Sequence, residues 1–149
     1  MEIFDRELGG SILLSKKALE HGWQVVLGGK FSIFQNFTKF KNMPGIFFLK
    51  SIVPGEVDIQ KQILKFGHKI ISLDVEGLVP SNGKAGVRLR YGEKAISLTE
   101  ILFFWGKKHY QSVLNVYPSI KNKAIISGSP IIDDIYLKKA KKNTNTKSK

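Results

Sequence analysis

Short apolar runs of four to six residues recur along this chain, each separated from the next by a stretch with helical spacing. That alternation limits the fold more than any other feature. Runs too short for a buried helix, separated by helices, are the pattern of βαβ units and a parallel sheet. The spacing predicts a helix over residues 8–20, with Leu8, Ile12, Leu13 and Leu19 on one side and Gly22 just past its end. Strands are expected at residues 24–28, 46–49, 69–73, 101–105 and 124–127. Further helices are expected at residues 57–66, 107–117 and 130–139, and Pro80, Asn82-Gly83 and Gly86 mark a loop region. Residues 30–41 place Phe31, Phe34, Phe37 and Phe40 three apart, either one side of a core or a membrane-surface face. The expected fold is α/β, a Rossmann-like open parallel sheet with helices on both faces.

Length and composition narrow the class further. At 149 residues, 42% hydrophobic and 24% charged, the chain suits one ordinary domain. No apolar run approaches the ~20 residues of a membrane-spanning helix. Glu2, Asp5 and Glu7 occupy the place of a basic start and apolar run, so no signal peptide is expected and the expected location is the cytoplasm. Zero cysteines exclude a disulfide scaffold, a thiolate metal site and a cysteine nucleophile. His21, His68 and His109 stand apart in sequence without metal-ligand spacing.

The net charge of +12 is concentrated at one end. Residues 138–149 read KKAKKNTNTKSK, six lysines without an acid. They cannot bury a core, so they are expected as a disordered tail to a domain spanning residues 1–137. Only Arg6, Arg88 and Arg90 are arginine. Base and phosphate readers draw on the arginine fork, so no specific nucleic acid is expected, only general attraction to anions such as an anionic membrane surface.

Open α/β sheets bind ligands beyond the carboxyl ends of their strands, which singles out the junctions. Asp74 and Glu76 follow the third expected β-run directly, where a carboxylate pair serves as a general base or orients a sugar hydroxyl, or else caps a loop. Arg6 and Glu7 precede the expected first helix, where Glu7 suits the positive helix end. Gly128, Ser129 and Pro130, followed by Asp133, join the last β-run to the last helix. A serine cap, a glycine and a first-turn proline there suit either a plain junction or an anion site.

Taken in order, REL (residues 6–8), LEHGWQVVLG (19–28), GHKIISLDVEGLV (67–79), FFWG (103–106) and AIISGSPIID (124–133) resemble the bacterial surface carbohydrate biosynthesis proteins, GT-B-like glycosyltransferase relatives with two Rossmann-like domains. The resemblance covers residues 4–137 and departs at two points. Ile131 stands where the family has arginine, and Val75 replaces the second acid of its D-E-E-G. It implies the amino-terminal, acceptor-side half of a glycosyltransferase, a single GT-B half that is either truncated or completed by a second Rossmann-like half. The complete enzyme would take a nucleotide-sugar donor and a glycan acceptor at the inner face of the cell membrane. The resemblance casts Asp74, Glu76 and Glu7 in catalysis and Arg6, Gly128, Ser129, Pro130 and Asp133 in substrate binding, with no metal. The competing reading is a non-enzymatic anion-binding module using the lysine tail on nucleic acid or acidic lipid.

Overall fold

The computed structural model describes residues 4–76 and 83–146, which form two compact units. One comprises residues 36–128, the other residues up to 35 together with those from 129 onward.

The larger unit is a mixed α/β fold built on a four-stranded parallel sheet, β1 (Ile46–Leu49), β2 (Lys69–Leu73), β3 (Ile101–Phe104) and β4 (Ala124–Ile126), hydrogen-bonded in that order. It is a Rossmann-like open sheet, as the alternation predicts. Between the strands lie α3 (Val57–Lys65), α4 (Gly83–Arg90), α5 (Glu93–Ser97) and α6 (Lys107–Leu114). Register places Leu49, Ser72, Leu102 and Ala124 in one row and Phe48, Ile71 and Ile101 in a neighbouring row of the opposite face. Ile70, Leu102 and Phe104 are fully buried, and the latter two join Ile52, Val87, Tyr91, Ile96, Val113 and Ile120 in the main core. Neighbouring strands connected with one hand put their crossovers on one side of a sheet, and the core lies on that side. The other face pairs Phe48 and Phe103 in a stack at 6.4 Å, and Ile46, Phe48 and Ile125 remain exposed there.

Of the loop region expected after β2, the described part from Gly83 is instead helical. Residues 77–82, with Pro80 and Asn82, lie outside the described residues, but α4 begins at Gly83 and α5 follows. Val87 and Tyr91, four apart, turn inward and are buried, and this packing outweighs the helix-weakening glycines. Polar groups are also sealed in: Gln60 is fully buried and donates to the Ala95 carbonyl and to Thr99 Oγ1.

The smaller unit contains α1 (Phe4–Glu20), α2 (Lys30–Gln35) and α7 (Pro130–Thr146). The α1 and α7 helices pack through glycines. A Cβ on Gly10 would lie 2.9 Å from the Ile131 nitrogen, and one on Gly9 would collide with the Asp134 carboxylate. Three expectations change here. Residues 24–28 form no strand and join no sheet, since a β-branched run becomes a strand only with a ladder partner. The 30–41 stretch breaks into α2 and, within the larger unit, a 3₁₀ turn at Phe37–Phe40, with Phe31 exposed and the Phe37 side chain outside the described residues. The last helix runs on to Thr146, into the stretch expected to lack structure, because lysine and alanine are good helix formers.

Candidate functional site

The polar residues that come together lie at the carboxyl edge of β2 and β3. Asp74 follows β2 and is buried, its side chain only 5% exposed. Its Oδ1 accepts the Glu76 backbone N–H at 3.0 Å, which folds Val75 and Glu76 into a tight turn. Arg90, the last residue of α4, closes on the same carboxylate. Its Nε donates to Asp74 Oδ2 at 2.8 Å and its Nη2 to Oδ1, while Nη1 donates to Glu76 Oε2. One guanidinium therefore holds both predicted carboxylates, and Asp74 raises the Arg90 pKa further above its ordinary value.

Two aromatic side chains and a histidine complete the cluster. Trp105 donates its indole N–H to the Asp74 carbonyl at 2.6 Å, tying the ends of β2 and β3 together. His109 stands in the first turn of α6. Its Nδ1 accepts the Trp105 backbone N–H at 3.4 Å, so its proton sits on Nε2 and is donated to the Tyr91 hydroxyl at 2.7 Å. Burial pushes the Tyr91 phenol pKa up, and the nearby Asp74 charge adds to the effect. Burial likewise holds His109 below its ordinary range, opposed by Asp74. At neutral pH the imidazole and the phenol of the cluster are thus neutral.

The exposures separate two roles. Asp74 has both oxygens engaged and is buried, which makes it the anchor of Arg90. Glu76 is 38% exposed and Arg90 27%, so these two meet solvent at the rim. Such a pair accepts a hydrogen bond through the carboxylate and donates one through the guanidinium, a match for hydroxyl groups.

The remaining expected site residues fall elsewhere. Arg6 and Glu7 do not precede the first helix but lie within α1, which begins at Phe4 because the helical spacing extends upstream of Leu8. Glu7 is buried there, and the Arg6 side chain lies outside the described residues. Gly128 adopts φ +83° after β4, and its N–H bonds the Phe104 carbonyl at 3.3 Å. Ser129 is buried, and its carbonyl accepts the Ile132 and Asp133 N–H groups. Its Oγ has no hydrogen-bond partner among the described residues, so the expected side-chain cap is not made. Pro130 opens α7, with Gly10 of α1 against the Pro130–Ile131 backbone, and Asp133 is exposed in the first turn. Glu7, Ser129, Pro130 and Asp133 belong to the smaller unit, Asp74, Glu76 and Gly128 to the larger.

Arg90, Tyr91, Trp105 and His109 were not singled out by sequence. The available signal for His109 was its position just after a strand, at the start of a helix. Among the described residues no group of three or more histidine or acidic side chains is arranged to hold a metal. No helix among them is long and apolar enough to cross a membrane. Comparison with family models, with curated proteins and with solved structures finds no match for this chain.

Proposed function

We propose that this chain is the acceptor-side, Rossmann-like part of a glycosyltransferase-like protein of bacterial surface polysaccharide biosynthesis. The observation that supports it most is the Glu76–Arg90 pair at the carboxyl edge of a parallel sheet, beside the half-buried Trp105 ring. Sugar hydroxyls donate to a carboxylate and accept from a guanidinium, while an aromatic ring offers an apolar face to the sugar's C–H groups. In this reading Glu76 receives the proton of an acceptor hydroxyl, and Arg90 orients it. Asp74 and Trp105 position these two groups. A nucleotide-sugar donor would be held by a second Rossmann-like half, as the resemblance implies. The carboxylate accepts a proton only as the hydroxyl attacks, so catalysis depends on that second half to align the donor.

The test is a titration of the full chain with a panel of oligosaccharides, followed by NMR at the Trp105 indole N–H. At least one saccharide is expected to shift that signal in a saturable manner, and Glu76→Gln to remove the shift. A panel that leaves the signal unmoved in the wild-type chain overturns the assignment.

A further inference from the structure

The α7 helix leaves its α1 contact with an unusual surface. Around Gly9 and Gly10 it is packed, but beyond Asp134 every residue as far as Ala140 is exposed. Among these are Ile135 at 43%, Tyr136 at 68% and Leu137 at 50%, apolar groups that no described element covers. At about 100° per residue, Tyr136, Leu137 and Ala140 fall on one arc of the helix, and positions 139 and 141, both lysine, lie on its two flanks. Lys138 is partly committed, bonding Asp134 at 2.6 Å. Lys139, Lys141 and Lys142 follow without an intervening acid, and the sequence continues to Lys147 and Lys149.

We infer that the second half of α7 is a docking surface for an anionic lipid bilayer. An exposed apolar arc flanked by lysines is the arrangement of helices that lie in a membrane interface, with the arc between acyl chains and the cations among the headgroups. Five lysines beyond Lys138 match the size of basic clusters that bind acidic lipids. A nucleic acid would satisfy the lysines but leave Tyr136 and Leu137 without a partner, and the segment has no arginine fork for phosphate. The acids on this helix, Asp133 and Asp134, sit a turn before the arc, so its flanks stay cationic. This inference is independent of the saccharide reading, because it concerns the smaller unit alone.

The experiment is co-sedimentation of the full chain with vesicles of phosphatidylcholine and with vesicles in which part of it is replaced by phosphatidylglycerol. Binding is expected to the anionic vesicles only and to fall as salt is raised. Lys139→Gln with Lys142→Gln should weaken it by about fivefold per lysine. Tyr136→Ser with Leu137→Ser should weaken it at least tenfold, with the thermal midpoint unchanged because both side chains are exposed. Equal binding to both vesicle types, or full binding by the Tyr136/Leu137 variant, overturns the inference. So does binding to duplex DNA without binding to anionic vesicles.

Discussion

Arg90 grips Asp74 through two of its nitrogens, from the end of α4 to the end of β2, across sixteen positions of sequence. The carboxylate is buried and the guanidinium roughly three-quarters so. Removing one charge strands the other in a low-dielectric site, which is where ion pairs matter for stability. Asp74→Asn is therefore expected to destabilise the protein by about 1–3 kcal/mol, below the fully buried range because Arg90 keeps some solvent. Urea unfolding checks it. A stability change under about 0.5 kcal/mol would show that the pair is replaceable.

Glu76 behaves differently, because its carboxylate lies at the rim. Glu76→Gln keeps an oxygen facing Arg90 and should change stability by less than about 0.5 kcal/mol. Saccharide binding should be lost in the same variant. A stable Glu76→Gln chain that still binds would remove this residue from the site. Asp74 and Glu76 are thus expected to part company, loss of the first lowering stability and loss of the second lowering saccharide binding.

Much of this architecture is legible in the sequence. The runs ending at Leu49, Leu73 and Phe104 are strands because continuous β-branched and aromatic stretches between helices have few other uses. Residues 24–28 have the same pattern yet stay outside the sheet, since local pattern does not encode a ladder partner. Asp74 and Glu76 were found by their place after a strand. Arg90 was not, because its link to them spans a glycine-rich stretch read as loop. His109 has no sequence neighbour that marks it, because it lacks metal-ligand spacing to the other histidines. Its actual partners, Tyr91 and Trp105, are brought to it by the fold.

His109 makes stability depend on pH in a definite direction. Burial holds its folded-state pKa below the ordinary 6.5, so the unfolded chain binds the proton more readily. The stabilisation from the neutral imidazole is fully present above pH 6.5 and is lost as pH falls from there through the folded value. Protonation would also place a hydrogen on Nδ1 against the Trp105 N–H. His68, buried and shifted in the same direction, adds to the trend. The expected result is a fall in unfolding free energy just below pH 6.5, with a shallower slope in His109→Gln. An unchanged slope in that variant would mean that the imidazole titrates freely.

The glycine pair of α1 offers a test of the smaller unit. Gly10 faces the backbone of α7, where an added Cβ would lie 2.9 Å from the Ile131 nitrogen and 3.0 Å from the Pro130 carbonyl carbon. Backbone cannot rotate aside, so Gly10→Ala must push the helices apart. Alanine gains roughly 1 kcal/mol over glycine inside a helix, but overpacking of a close contact costs about 1–3 kcal/mol. A net loss of stability is expected. Gly9→Ala meets the Asp134 carboxylate first, a side chain held by an exposed lysine. That group can swing away at the expense of a surface ion pair of little value. Gly9→Ala should therefore be clearly the milder of the two in thermal melts of the full chain. Equal midpoints for both variants would mean that α1 and α7 do not approach as closely as Gly10 requires.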